Sequence, residues 1–255
     1  MSVLNKSALV TGASGAIGGA ISEEFLKNGL KYLAALDIHD LEPKILSDWK
    51  CAYPNAVIKY FQVDVTSKEK LKQCYDEFLK MIPSLDIVVN SAGIFNEGDP
   101  SRVVNVNLYG VIESTRLAIE HMKIGVGKGG TVINISSHAG LIGLSSCPAY
   151  VASKIGVIGY TRAVAFGREE LGIKFLTLCP TVTNSELYEN AFQPGHLFMA
   201  SEKSIALAKE LISQSPVDVA KATMNIMLNA KNGSVWVLRM GQLSEATQNA
   251  IAINF

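Results

Sequence analysis

The sequence has little of what marks a secreted, membrane-spanning or nucleic-acid-binding chain. Its four cysteines, Cys51, Cys74, Cys147 and Cys179, are scattered with no CxxC pair. That spacing argues against a zinc site and a disulfide framework, and suits a reduced, cytoplasmic protein. Positive charge is not in excess, since 23 Lys and Arg stand against 23 Asp and Glu. No polyanionic partner, whether nucleic acid or anionic membrane, is therefore expected. No apolar run approaches the roughly 18 residues of a membrane helix. The opening stretch, MSVLNKSALVTGASG, is a poor match to a signal peptide. Linkers, internal repeats and low-complexity segments are missing, so one domain is expected over 1–255. His138 and His196 have no partners at ligand spacing, and no metal is expected. What is plentiful is apolar: 48% hydrophobic against 18% charged over 255 residues, enough for a sizeable core.

Taken in order, short apolar runs alternate with helical periodicity. Ser7–Val10 reads as a buried strand. Thr11–Gly18 is a glycine-rich turn, and Gly19–Asn28 carries Ile21, Phe25 and Leu26 at helical spacing. Tyr32–Leu36 is a second strand, ended by Asp37. Strand, glycine turn, helix, strand and acid form a βαβ unit suited to a dinucleotide. Glycines let the backbone approach a pyrophosphate at the helix start, and the acid can hold the ribose hydroxyls. Asp37 would repel the 2′-phosphate of NADP, and neither Gly15 nor Ile38 supplies a compensating cation, so NAD is the expected cofactor. Further strands fall at 56–63, 85–89, 131–136 and 175–179, with helices at 68–81, 102–121 and 150–171. The alternation predicts an α/β Rossmann fold: a doubly wound parallel sheet of about seven strands flanked by helices on both faces. Asp64, Asn90 and Ser137 fall at the carboxyl ends of strands, where such sheets bind ligands.

Tyr150 precedes Lys154 by four residues, which places both on one face of a helix. A phenol titrates near pH 10, and a neighbouring ammonium group favours its charged form. A serine ending the preceding strand, Ser136 or Ser137, can hydrogen-bond the same substrate oxygen.

Together these residues resemble the short-chain dehydrogenase/reductase family. The matching pieces are TGASGAIG at 11–18, Asp37, Asp64-Val65, NSAG at 90–93, Asn107 in VNVNLYG, Ser137, YVASK at 150–154 and Pro180. The short interval from Gly93 to Asn107 resembles the branch of insect alcohol dehydrogenases and NAD-dependent 15-hydroxyprostaglandin dehydrogenases. The resemblance implies an NAD-dependent oxidoreductase that interconverts a secondary alcohol and a ketone by hydride transfer. Tyr150 would be the acid/base, Lys154 would lower its pKa, Ser137 would orient substrate, and Asn107 would hold a relay water. The cofactor would meet Gly12, Ser14, Gly15, Ile17 and Gly18 in the turn, then Asp37 and Ile38. Asp64 and Val65 would contact adenine, and Asn90, Ala92 and Gly93 would flank the adenosine ribose. Tyr150 and Lys154 would meet the nicotinamide ribose, and Pro180, Thr183 and Ser185 the nicotinamide amide. Three departures stand out: Ala16 for the family's middle glycine, Ser91 in NSAG, and Thr181 after Pro180.

Residues 186–206 are expected to form a lid. Its Leu187, Tyr188, Phe192, Leu197, Phe198 and Met199 suit an apolar substrate of lipid, terpenoid or steroid type. The resemblance also implies a homodimer or homotetramer. Two other readings share the fold: an NADPH-dependent carbonyl reductase, and a dinucleotide-binding protein with weak turnover.

Overall fold

The structure is a computed structural model that describes residues 2–39 and 44–246. Its strands are β1 (Ser7–Thr11), β2 (Tyr32–Asp37), β3 (Val57–Gln62), β4 (Ile87–Asn90), β5 (Gly130–Ile135), β6 (Ile173–Pro180), β7 (Val235–Arg239) and β8 (Gln242–Glu245). They form one sheet in the order β3-β2-β1-β4-β5-β6-β7-β8. Every neighbouring pair is parallel except β7–β8. The inner strands β1 and β4 are buried along their whole length, so they read as continuous apolar runs rather than alternating ones. The order reverses between β1 and β4, which opens a crevice beyond their carboxyl ends.

Helices cover both faces. α1 (Ala16–Lys27), α2 (Lys44–Ala52) and α9 (Pro216–Asn229) bury Ile21, Phe25, Trp49, Val219 and Ile226 on one side. On the other side, α3 (Lys68–Leu79) and α5 (Gly110–Met122) bury Leu71, Tyr75, Phe78, Leu117 and Met122. α4 (Pro100–Val104) runs into α5 through a single π-turn at Asn105–Tyr109. α6 (Pro148–Ala165), α7 (Glu186–Asn190) and α8 (Glu202–Lys209) complete the set. Among the described residues, no helix is long and apolar enough to cross a membrane.

A polar chain under the crevice fastens α5 and α6 to the sheet. Asn90 donates to Thr115 and Asn134, Asn134 donates to Thr161, and Thr161 donates to the Val157 carbonyl. Such a buried network fixes register because each broken link leaves an unpaired polar group.

Three local expectations are corrected. An eighth strand pairs antiparallel at the sheet edge, made by the Met240–Gly241 turn, whose φ values of 49° and 75° suit a two-residue hairpin. The helix expected over 150–171 starts at Pro148, whose ring fixes a helical φ at the first position. It ends at Ala165, just before Gly167 with φ 62°, and Glu169–Leu171 is a separate 3-10 turn. The helix expected from Gly19 begins at Ala16, inside the stretch 11–18 expected as turn, with Gly15 as its N-cap.

Candidate active site at the carboxyl edge of the sheet

The glycine turn is shaped by close backbone approach. Gly12 has φ 67°, and a Cβ there would lie 2.8 Å from the Ala92 backbone. A Cβ on Gly18 would lie 2.1 Å from the Gly12 carbonyl oxygen, whereas one on Gly15 would sit at 3.4 Å. Thr11 Oγ1 accepts from the amides of Ser91 and Ala92 at 3.1 and 3.2 Å, so the turn and the NSAG segment hold each other. Ala16 is exposed at the first position of α1, and the fold accommodates its methyl group. Ile17 is half-buried beside it.

On the β2–β3 side, Asp37 Oδ2 accepts from the Ser14 amide at 3.0 Å and Oδ1 from the His39 amide at 3.3 Å. Ile38 is exposed at the rim. Asp64 accepts from the Thr66 amide and hydroxyl, and from Arg102 Nη2 at 2.7 Å. Burial opposes its charge, but the Thr66 and Arg102 contacts outweigh that and hold its carboxyl below the usual range. Val65 is buried and closes against Gly110, where a Cβ would meet its side chain at 2.8 Å. The Asn90 side chain turns inward to the polar chain, away from the role beside the ribose expected of it. The part of this segment next to the crevice is Ala92-Gly93.

The residues expected to carry chemistry converge at the other end. Lys154 is 5% exposed, lies with Nζ 5.6 Å from the Tyr150 ring centroid, and donates to the Ile135 carbonyl at 3.2 Å. The Ser137 hydroxyl lies near the Tyr150 phenol and favours its charged form, and its Oγ accepts from the Ala139 amide at 3.1 Å. Ser136 instead is buried and donates to the Lys154 carbonyl at 2.8 Å, which leaves Ser137 as the serine beside the phenol. Asn107 sits in the π-turn, fully buried, a placement such single turns often have at functional sites. Its Oδ1 accepts from the Ile94 amide at 2.8 Å and its Nδ2 donates to the Ile94 carbonyl at 2.9 Å. A Cβ on Gly93 would touch Asn107 Oδ1 and Lys154 Nζ at 3.4 and 3.5 Å, so all three adjoin. Burial pushes the Tyr150 phenol up to about 12, with the Ser137 hydroxyl opposing, and pushes the Lys154 ammonium down to about 8. Both shifts favour the neutral form: in the free protein the phenol is neutral at pH 7, while the ammonium persists below about 8.

Pro180 ends β6, and the loop after it is strapped down. Thr183 donates to the Thr181 carbonyl, and Ser185 donates to the Thr183 carbonyl and accepts from the Tyr188 amide. Gln214, 3% exposed, donates toward Thr181, Thr183 and the Leu238 carbonyl. One of those contacts, at 3.3 Å, is to the Thr181 hydroxyl, so the threonine that departs from the family pattern is used. Gln214, Arg102 and Phe95, whose ring packs 4.9 Å from that of Tyr150, are site residues that the sequence reading missed. Arg102 acts across 38 residues of chain, Gln214 across 24 to 33, and Phe95 meets Tyr150 from a distant loop, so spacing carries no signal for them. Among the described residues, no cluster of metal-binding type occurs.

The residues present fit a nicotinamide dinucleotide. The buried Ser14 hydroxyl oxygen lacks a partner. α1 begins with no side-chain cap and no acid in its first turn, leaving a positive helix end beside that hydroxyl. The Gly12–Ala92 approach keeps side chains out of the turn itself.

The short chain dehydrogenase family model matches residues 6–195. The rat (Rattus norvegicus) protein 15-hydroxyprostaglandin dehydrogenase [NAD(+)] is 32% identical over 248 residues, 92% of this chain and 91% of that one. Alcohol dehydrogenase 1 of Ceratitis cosyra is 29% identical over 248 residues, 96% of each. The structure titled ElxO with NADP bound superposes with a TM-score of 0.77 at 27% identity, covering 93% of this chain and 98% of that one. Fold, motif order and these relatives agree, and the chain belongs to the short-chain dehydrogenase family, on the branch of insect alcohol dehydrogenases and 15-hydroxyprostaglandin dehydrogenases.

Proposed function

We propose that the protein is an NAD-dependent dehydrogenase that interconverts an apolar secondary alcohol and its ketone, with Tyr150 as acid/base. The observation that carries this reading is the meeting of Ser137, Tyr150 and Lys154 beside Gly93 and Asn107. In oxidation, Tyr150 as phenolate takes the substrate hydroxyl proton. In reduction, the phenol returns it to the carbonyl oxygen. The Ser137 hydroxyl donates to that oxygen and holds it toward Tyr150. Lys154 as ammonium favours the phenolate and would hold the nicotinamide ribose. When bound, the oxidised nicotinamide supplies the hydride acceptor and a positive charge that favours the phenolate over the free protein's neutral phenol.

Gly12, Ser14, Gly15, Ile17 and Gly18 would cradle the pyrophosphate, and Asp37 would accept from the adenosine ribose hydroxyls. A fixed carboxylate there disfavours a 2′-phosphate, which supports NAD over NADP. The Pro180–Ser185 loop would meet the nicotinamide amide. Residues 186–206 would close over the substrate as a lid. The apolar substrate class is supported by exposed Ile142, Leu144, Phe198 and Met199 around the mouth, where the Phe198 amide donates to the Ser146 carbonyl. Exposed Tyr109, Ile155 and Phe166 are read as a face for a second copy of the chain.

Reduction of apolar ketones is compared with NADH and with NADPH. Faster turnover with NADH is expected; a strong preference for NADPH overturns the reading of Asp37 and favours the carbonyl-reductase alternative.

A further inference from the structure

The amino end of α6 carries Tyr150 and has no local cap. Cys147 gives no side-chain hydrogen bond, and Pro148 has no amide hydrogen. The two amides that follow are both taken by one carboxylate from a distant loop. Glu97 Oε2 accepts from the Ala149 amide at 3.0 Å and Oε1 from the Tyr150 amide at 2.8 Å, across 52 and 53 residues of chain. The same loop holds the ring of Tyr150, because Phe95 packs against it and Ile94 is pinned by Asn107. The Glu97 amide in turn donates to the His196 carbonyl at 3.0 Å, and a Cβ on Gly98 would press the Gly195 carbonyl oxygen at 3.0 Å.

We propose that Glu97 is a positioning residue for Tyr150: its carboxylate closes the start of α6, and its main chain fastens that start to the His196 segment. The proposal rests on Tyr150 acting as acid/base. Both walls of the substrate mouth then share one anchor, and displacement of the 195–198 segment moves the phenol. The carboxylate also has an electrostatic effect of its own. A helix start favours an anion nearby, and Glu97 cancels part of that benefit for a phenolate. The groups around the phenol are Ser137, Lys154, Cys147 and Cys179, and burial and then Glu97 push the Cys147 thiol up to about 11. Geometry and charge therefore act in opposite senses: Glu97 aids turnover by alignment while holding the phenol toward its neutral form.

The test uses the full-length protein as wild type, Glu97→Gln and Glu97→Asp. Alcohol oxidation with NAD⁺ is followed against pH, and the Tyr150 ring is titrated by ¹³Cζ-tyrosine NMR with NAD⁺ bound. Glu97→Gln is expected to lower kcat about tenfold through misalignment, with KM for NAD⁺ unchanged. It should also move the acid limb of the profile and the phenol titration to lower pH. Glu97→Asp keeps the charge and loses reach, so kcat falls while the limb stays. A merely structural residue would lower the melting temperature and shift neither limb nor titration. Unchanged kcat and an unchanged limb in Glu97→Gln overturn the proposal. A wild type that oxidises no alcohol sinks the proposed function instead; the NMR titration then decides on Glu97, and identical curves for wild type and Glu97→Gln reject it.

Discussion

The two ends of the crevice are built by different means. The glycine-turn end is held by backbone approach: Gly12 against Ala92, Gly18 against the Gly12 carbonyl, and Thr11 under two amides. The tyrosine end is held by side chains: Asn107 on Ile94, Ser136 on Lys154, Glu97 on α6, and Gln214 on the loop after β6. The first end is sensitive chiefly to added volume, with Thr11 and Asp37 as its polar side-chain contacts. The second is sensitive to the loss of single polar atoms.

The largest effect is expected at the second end. Tyr150→Phe should lose about 10² to 10⁴ in turnover while still binding NADH, measured by steady-state rates and fluorescence titration. Retained turnover would show that side-chain chemistry does not set this end apart. At the first end, Asp37→Ala should weaken NADH binding about 10- to 100-fold, because it removes charge-assisted acceptors, while NADPH binding improves relative to NADH. Calorimetric titration with both cofactors checks this. The volume argument is sharpened by a pair: Gly18→Ala should cost about 1–3 kcal/mol by overpacking against the Gly12 carbonyl. Gly15→Ala should cost only about half a kcal/mol as a poorer cap residue. Urea unfolding of both proteins measures the difference, and equal losses would break the comparison.

A further effect concerns Lys154 and stability. Burial lowers its pKa in the native protein to about 8, against an ordinary value of 10.5 when unfolded. Between those values the unfolded chain binds more protons, so stability rises with pH; below about 8 a buried ammonium is a cost. Lys154→Met should therefore stabilise the free protein at pH 7 by an amount of order 1–3 kcal/mol. That gain should fade as pH climbs from about 8 toward 10.5. Melting curves at several pH values follow it, and a pH-independent difference would contradict the burial argument.

The first end was largely legible in the sequence. Glycine spacing, the strand before it and Asp37 after it are local, and backbone geometry follows from local residue type. The candidate catalytic residues are picked out by their order along the chain, but the groups that support them are not. Asn90 reads as a cofactor contact by position, yet its side chain turns into the Thr115–Asn134 chain because α5 and α6 pack over β4 and β5. Ser136 and Ser137 are adjacent, and only the strand's alternation of faces separates the one on Lys154 from the one beside Tyr150. Glu97 and Gln214 act over long chain separations, where hydrophobic periodicity carries no information. The eighth strand escaped because Gln242–Glu245 is short and polar, as edge strands commonly are.

The central claim, that the phenol of Tyr150 exchanges a proton with a substrate oxygen beside a bound nicotinamide, is tested most directly by one assay. The wild-type protein is given NAD⁺ and a panel of apolar secondary alcohols, and formation of NADH is followed by absorbance. The account predicts NADH formation with at least one alcohol, rising with pH as Tyr150 ionises. Binding of NAD⁺ with no NADH formed from any member of the panel would contradict it.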